Sequence, residues 1–245
     1  DLCDLNRICS MIFDMKIWLV FKINKIMNRE IYVLGVGHNT SVYLDLVEAC
    51  GYTIKGLYHY NDERVGELDH GYPILGSFDD LFSLNSLEGM NFALSQGDNK
   101  IRANIFEKII EKQGNVPTLI HPSAKVSKYA QLGQGVVVHI NTVVHPNVIV
   151  GDNTVLSYNV SVTHNTRIGK NCYLAFGMML GAYTIVEDFV FLGIGAIVIS
   201  GKVDLIGTSA YVGAGAVVTK SVAAYECVAG NPAKFIKTLK WENLP

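Results

Sequence analysis

An aliphatic residue recurs every six positions through the second half of the chain, and this repeat restricts the fold more than any other feature. A period of six fits neither an α-helix, with about 3.6 residues per turn, nor an ordinary strand, whose pattern alternates. It is typical of a solenoid of short strands with a turn after each one. Fourteen aliphatic residues are in phase from Ile120 to Val198, and after a slip of two the series resumes at Ile206, Val212 and Val218.

A second spacing groups these hexapeptides in threes. Gly133, Gly151 and Gly169 each follow an aliphatic residue and are eighteen residues apart. Three hexapeptides therefore form one coil of a triangular prism, and the inward aliphatic residues stack from coil to coil at about 4.8 Å. The two additional residues, around 202–204, are expected to bulge outward so that the core keeps its register. Such a loop often lies near a binding face, although a harmless surface insertion fits equally well.

The preceding segment, residues 29–120, has the pattern of a small parallel α/β unit, in which strands alternate with helices. Its helices are predicted from polar starts, glycine stops and apolar spacing. The predicted elements are a strand at 29–34, a helix at about 41–50 that Thr40 or Ser41 caps, strands at 53–58 and 90–95, and a helix at 99–112 with Ile101, Ile105, Ile109 and Phe106 facing inward.

The turn after the first strand is an incomplete G-x-G-x-x-G motif with Gly35, Gly37 and, in place of the third glycine, Thr40. Such a turn exposes backbone N–H groups and a helix N-terminus to phosphate. No acidic residue cleanly ends the second strand, which disfavours NAD. A nucleotide diphosphate requires only the phosphate contact and is the better interpretation. A purely structural turn is the alternative.

Composition excludes several other classes of protein. The chain is 49% hydrophobic and 17% charged, with a formal net charge of −2. Intrinsic disorder needs low hydrophobicity and high net charge, and a nucleic-acid-binding protein needs a positive field. The five cysteines are odd in number and lack CxxC spacing. A disulfide framework or zinc site is therefore not expected, and a reducing cytoplasm is the predicted location.

Residues 1–26 are interpreted as a leader or extension outside the fold. The most apolar stretch there is only Ile17 to Phe21, between two lysines. A membrane span needs about 20 apolar residues and a signal peptide about 7–15, so neither is predicted. The alternative is a short amphipathic helix that touches a membrane or a partner.

The chain resembles the sugar O/N-acyltransferase family of hexapeptide-repeat proteins, which includes sialic acid O-acetyltransferases and N-acetyltransferases of nucleotide-linked 4-amino-4,6-dideoxy sugars. The resemblance implies a Rossmann-like nucleotide-sugar-binding domain over 27–117 and a left-handed parallel β-helix over 118–245 with a short C-terminal helix at about 232–240. The motifs that carry it are Tyr32-Val33-Leu34-Gly35, Gly71-Tyr72-Pro73-Ile74-Leu75-Gly76, Gly97-Asp98-Asn99 with Ile101-Arg102, Leu119-Ile120-His121-Pro122-Ser123-Ala124, Val162-Thr163-His164-Asn165 and Gly230-Asn231-Pro232-Ala233-Lys234.

This resemblance implies acetyl transfer from acetyl-CoA, without a metal, to a nucleotide-linked amino sugar in surface glycan synthesis. His164 matches the general base of the family, and Asn165 stands where the family usually has an acid. The Ala182 N–H is the expected oxyanion donor. Residues assigned to acetyl-CoA are Ala182, Ile194, Ala214, Lys220 and Lys234, and those assigned to the sugar nucleotide are Gly35, Gly37, His38, Asn39, Asp62 and Asn99.

Other interpretations remain open at this point. The same base would serve O-acetylation of a sialic-acid-like or other sugar. Asn165 also fits a catalytically inactive trimeric scaffold. A zinc enzyme could use His139, His145 and His164, although their corner positions do not obviously converge; His121, His139 and His145 are expected to be structural, the last two facing outward at corners. A homotrimer with active sites between subunits is implied by the resemblance alone.

Overall fold

The structure is a computed structural model that describes residues 29–240. The interpretation of residues 1–26 lies outside the described residues. Within them, an α/β domain is followed by a β-helix. None of the helices between residues 29 and 240 has the length and apolar character needed to cross a bilayer.

The α/β domain contains one five-stranded sheet in the order β3-β4-β2-β1-β5. Strands β1, β2, β4 and β5 are parallel, and only the short β3 pairs antiparallel with β4. The elements are β1 (Glu30–Leu34), α1 (Thr40–Ala49), β2 (Thr53–His59), β3 (Leu68–Asp69), β4 (Tyr72–Ser77), α2 (Phe78–Ser83), β5 (Phe92–Leu94) and α3 (Asn99–Glu111).

Helix α1 starts one residue earlier than predicted, and its expected side-chain cap is wrong. Asn39 is the N-cap and makes no side-chain capping bond. The Thr40 hydroxyl serves the preceding turn instead, because it accepts from the Gly37 N–H at 2.6 Å and donates to the Gly37 carbonyl at 2.9 Å. The Thr40 hydroxyl therefore stabilises the turn and does not cap the helix.

Helix α3 buries a different side chain from the one predicted. Ile105 and Ile109 are buried as expected and Phe106 is partly buried, but Ile101 is 53% exposed. Arg102 is 1% exposed and is among the largest fully buried side chains of the described residues. The reason is that α3 packs between its own sheet and the β-helix, so its buried face turns toward the coils.

The β-helix confirms the six-residue ladder. Its strands are two residues long and lie on three parallel faces. Each strand pairs with the strand eighteen residues away, as Val144 does with Val162, or twenty residues away across the slip of two, as Val186 does with Ile206. The strands are β6 (Leu119–Ile120), β7 (Lys125–Val126), β8 (Gln131–Leu132), β9 (Val137–Val138), β10 (Val143–Val144), β11 (Ile149–Val150), β12 (Val155–Leu156), β13 (Ser161–Val162), β14 (Arg167–Ile168), β15 (Tyr173–Leu174), β16 (Met179–Leu180), β17 (Ile185–Val186), β18 (Phe191–Leu192), β19 (Ile197–Val198), β20 (Leu205–Ile206), β21 (Tyr211–Val212) and β22 (Val217–Val218).

The slip of two residues is absorbed in the turn 199–204, as predicted. Strand β17 still pairs with β20, where Val186 faces Ile206. Lys202 is exposed, while Val203 is 1% exposed and returns the chain to the core. The stack of aliphatic residues therefore continues unbroken through the insertion.

The predicted C-terminal helix at 232–240 is wrong. Strand β23 (Glu226–Ala229) extends the sheet that contains β21, and β24 (Lys234–Thr238) pairs antiparallel with β23. The last coil leaves an unpaired strand edge, and a segment containing Phe235 and Ile236 suits a strand. The segment 234–238 therefore forms a strand that hydrogen-bonds to that edge, and it does not form a helix.

Arg102 joins the two domains through backbone carbonyls. Its Nε donates to the Asn153 carbonyl at 3.3 Å, and its Nη2 donates to those of Asn171 at 3.3 Å and Cys172 at 3.2 Å. Its Nη1 donates to the Gln96 carbonyl at 3.1 Å, within its own domain. One planar fork of donors thus connects two coils of the β-helix to the α/β domain.

His139 makes a second contact between the domains. It lies at a corner as predicted, but α1 covers it and leaves it 3% exposed. Its ring lies edge-on to Tyr43 at a centroid distance of 5.7 Å and 4.7 Å from the Tyr158 ring. Burial, aided by His121, lowers the pKa of His139 from 6.5 to about 4, so this imidazole is neutral at pH 7.

Candidate functional site

His164 is the exposed second residue of the turn that follows β13. Its Nδ1 lies 3.1 Å from the Asn165 amide nitrogen, and the Asn165 oxygen accepts a hydrogen bond of 2.9 Å from Asn147 one coil earlier. The predicted stacking of Asn165 on Asn147 is thereby confirmed. The ring also lies edge-on to Tyr183, at a centroid distance of 5.4 Å.

The corner conformation explains why asparagine occupies positions 147 and 165. Both residues have left-handed backbone, with φ of 60° and 56°. Asparagine tolerates this region better than other residues that carry a Cβ, because its side chain bonds locally. Tyr183 continues the column at φ 64° and Gly201 at φ 68°. These four residues occupy the same corner in successive coils, so the coil fixes the position of each corner side chain along the axis of the β-helix.

Ala182 lies one coil beyond His164, as the repeat requires, but its N–H is already engaged. It donates to the Ser200 hydroxyl at 2.8 Å, and Ala182 is 6% exposed. An acyl oxygen can reach this N–H only if the Ser200 hydroxyl turns away. Ser200 was missed by sequence analysis; the signal was its position eighteen residues after Ala182.

The other residues assigned to acetyl-CoA lie at different places on the prism. Ile194 and Ala214 follow β18 and β21, whereas His164 follows β13 on another face. The two are stacked, since the Gly215 N–H donates to the Ile194 carbonyl at 2.7 Å. They therefore occupy a different corner from His164. Lys220 is exposed after β22, and Lys234 is exposed on β24.

An open cavity of about 340 Å³ lies at the glycine turn of the α/β domain. Four of the predicted substrate residues line it together: Gly35, Gly37, His38 and Asn39. Sequence analysis missed the remaining side chains, and the position of Gln96 just after the carboxyl end of β5 was a usable signal. The additional lining residues are Val36, Tyr60, Phe78, Ser95, Gln96 and Ile101.

Gly35 is required by close packing under this cavity. Its φ of +105° is unfavourable for any side chain, and an added Cβ would lie 2.4 Å from Ser95 Oγ and 2.5 Å from Gln96 Nε2. Gln96 Nε2 also donates to the Leu34 carbonyl at 2.9 Å. The strand end and the turn are thereby tied together at the floor of the cavity.

Two predicted substrate residues lie elsewhere. Asp62 is exposed and is not among the lining residues of the cavity. Asn99 is 3% exposed, its Oδ1 accepts from Arg102 Nη2 at 2.8 Å, and its amide donates to the Phe189 and Val190 carbonyls at 3.4 Å. Asn99 thus faces the β-helix because it is at the buried start of α3, and the assignment to substrate does not fit this position.

The histidines of the zinc alternative do not come together. His145 and His164 lie at one corner in adjacent coils, after β10 and β13, whereas His139 follows β9 on another face and is buried against α1. No group of three metal-binding side chains is arranged for a metal ion within residues 29–240.

Comparison with known proteins places these observations in a family. The family model described as the PglD N-terminal domain matches residues 30–109. No curated protein sequence matches the chain.

Solved structures match nearly the whole described chain. The acetyltransferase domain of PglB from Neisseria gonorrhoeae, in complex with acetyl coenzyme A, is 30% identical, with a TM-score of 0.77, over 85% of this chain and 100% of that one. A histidine variant of GDP-perosamine N-acetyltransferase from Caulobacter crescentus, in complex with CoA and GDP-perosamine, is 29% identical, with a TM-score of 0.78, over 85% and 97%. WeeI from Acinetobacter baumannii is 25% identical, with a TM-score of 0.76, over 84% and 100%. The chain belongs to the sugar O/N-acyltransferase family of hexapeptide-repeat proteins.

Proposed function

We propose that this protein is an acetyl-CoA-dependent N-acetyltransferase that acts on a nucleotide-linked amino sugar of the 4-amino-4,6-dideoxy type. The observation that carries the proposal is the combination of an open cavity at a glycine turn with an exposed histidine on the β-helix. Solved relatives that match both domains are described as bound to acetyl-CoA, or to CoA with GDP-perosamine. The sugar nucleotide would occupy the cavity lined by Gly35 to Asn39.

The chemistry requires a base and an oxyanion donor. The amine nitrogen attacks the thioester carbon, and its proton passes to His164. The carbon–sulfur bond then breaks, the proton passes from His164 to the leaving sulfur, and CoA is released as the thiol. The developing negative charge on the acyl oxygen would be stabilised by the Ala182 N–H after the Ser200 hydroxyl has turned away. No metal is needed for these steps.

A trimer with sites between subunits is part of this proposal. The acetyl-CoA residues Ile194 and Ala214 lie at a different corner from His164 within one chain. A second chain could present its own corner beside His164 and complete the site. Exposed apolar side chains on the β-helix, such as Met179 and Ile185, are available for such an interface.

One observation favours O-acetylation of a sugar without a nucleotide as the second candidate. The Gly37 N–H donates to Thr40 Oγ1, and Thr40 is fully buried. This N–H is therefore unavailable to a phosphate in the conformation observed, which weakens the phosphate-binding role of the turn.

A thiol-release assay tests both candidates. The protein is mixed with acetyl-CoA and a panel of nucleotide-linked amino sugars and free sugars, and free CoA is followed with a thiol reagent. We expect release with a nucleotide-linked amino sugar. His164→Gln should lower kcat by about 10²–10⁴-fold, as loss of a general base does, while CoA still binds.

His145→Gln is the matched control, because His145 lies at the same corner one coil earlier and is assigned no chemical role. It should leave kcat nearly unchanged. Absence of thiol release with every acceptor, although CoA binds, would contradict both transferase functions and favour the inactive scaffold.

A further inference from the structure

The partner of His164 determines which of its ring nitrogens carries the proton. An amide NH₂ has donors and no lone pair, so the Asn165 nitrogen donates to Nδ1 across their 3.1 Å separation. A neutral imidazole holds one proton, which must then be on Nε2. In this arrangement Nε2 is a donor and cannot accept a proton from an acceptor sugar.

Asn147 holds Asn165 in this orientation. The Asn147 amide nitrogen donates to Asn165 Oδ1 at 2.9 Å, which leaves only the Asn165 NH₂ to face His164. If Asn165 alone reversed, two NH₂ groups would face each other. The two amides therefore reverse only together, and the orientation of Asn147 is coupled to the tautomer of His164.

The same amide pair occurs at a second corner, where it is not next to a histidine. Asn153 donates to Asn171 Oδ1 at 2.8 Å, and these residues are 2% and 9% exposed. That pair shows that stacked asparagines are a structural device of the coils. The pair Asn147–Asn165 is more exposed, and Asn165 also contacts the His164 ring. The orientation of this pair therefore affects which ring nitrogen of His164 carries the proton.

We propose that Asn147 is a positioning residue that acts through Asn165 to set the tautomer of His164. This rests on the proposed function, in which His164 is the base. With both amides as observed, Nε2 carries the proton and His164 cannot act as the base. With both reversed, Asn165 Oδ1 accepts from Nδ1–H, and the Nε2 lone pair is free to accept the proton of the amine. Tyr183 is the other titratable side chain in ring contact with His164.

Asn147→Asp tests the proposal directly. A carboxylate only accepts, so it should bind the Asn165 NH₂ and turn Asn165 Oδ1 toward His164. In ¹⁵N NMR spectra of the full chain, recorded well above pH 7 where imidazole is neutral, we expect His164 to change from the Nε2–H to the Nδ1–H pattern. The His164→Gln variant identifies the His164 signals. With an acceptor present, kcat should rise about 3- to 10-fold while the KM for acetyl-CoA stays constant.

Asn141→Asp is the matched control, because Asn141 is also an exposed asparagine with left-handed backbone, φ 57°, at another corner. It adds the same charge and should leave the His164 tautomer unchanged. The thermal midpoints of both variants verify that they are folded.

An unchanged His164 pattern in folded Asn147→Asp overturns the proposal, whatever the activity. If the pattern changes as expected but no acceptor releases CoA, the positioning role of Asn147 stands and the proposed function fails. A variant that does not fold is replaced by Asn147→Ser, which removes the donating amide and should give a mixture of the two tautomers. A single Nε2–H pattern in folded Asn147→Ser overturns the proposal equally.

Discussion

The core of the β-helix consists of its own residues, whereas the core of the α/β domain includes residues of the β-helix. The buried cluster inside the coils contains residues only from the repeats and the segment that follows them. One of the two clusters of the α/β domain includes Leu119, Val137 and Val155 from a face of the β-helix. The dependence is therefore one-sided, since the coils serve as a layer against which the α/β domain packs.

The largest expected effect concerns the two parts expressed separately. Residues 118–245 should fold alone, because each coil satisfies its neighbour, and residues 27–117 should not, because they lose three buried aliphatic side chains of their core. Circular dichroism and the dispersion of NMR signals measure both fragments. A cooperatively folded 27–117 fragment would contradict the one-sided dependence.

A substitution at Arg102 breaks the junction within the intact chain. Arg102→Met should leave buried carbonyls without donors, each of which costs about 1–3 kcal/mol, and lower the free energy of unfolding by about 3 kcal/mol. This corresponds to a fall of roughly 6–12 °C in the thermal midpoint. Arg167→Met, on the exposed outer face of a coil, is the control and should change the midpoint little.

The region that Arg102→Met destabilises is as informative as the fall in the free energy of unfolding. Hydrogen exchange of Arg102→Met should increase in the α/β domain and remain slow in the coils beyond the junction. A uniform increase over both domains would show that the coils also depend on the junction.

Acid should weaken the same junction gradually, and by a similar amount only at the low end of the range. His139 has a pKa of about 4 when folded and an ordinary value of 6.5, so the unfolded chain binds a proton that the folded chain does not. The stabilisation is complete above pH 6.5 and is lost as the pH falls from 6.5 toward 4, up to about 3 kcal/mol at the lower limit. His139→Phe, which keeps a ring against Tyr43, should show a flatter decline in unfolding free energy over this range. Equal slopes for the two proteins would mean that His139 is not the titrating group.

Sequence analysis succeeded where contacts repeat and failed where they do not. The ladder from Ile120 to Val198 predicted the strands, the three faces and the outward insertion, because every coil meets the same neighbour. The burial of Arg102 in place of Ile101 could not be read from the helix pattern, since an arginine looks like a surface residue until the acceptors on the coils are known.

In the candidate site, too, the features that depend on local sequence could be predicted and those that depend on distant partners could not. Gly35 and Asn39, which were assigned to substrate from the turn motif, both line the cavity, because a turn after a strand is a local feature. Asn99 does not line the cavity, and its contacts could not be predicted because its partners are carbonyls about ninety residues further along the chain. The link between Asn147 and Asn165 was predictable from the eighteen-residue repeat, but its direction toward His164 required the hydrogen-bond partners.

The turn 199–204 has a consequence for how such chains change in length during evolution. The insertion leaves the pairing of β17 with β20 intact and is accommodated at a corner. Insertions and deletions in related chains should therefore accumulate at corners, or come as whole coils, while the six-residue segments between corners keep their length. This corner lies one coil beyond Ala182, so a change of length there would reshape the wall next to the site without disturbing the prism.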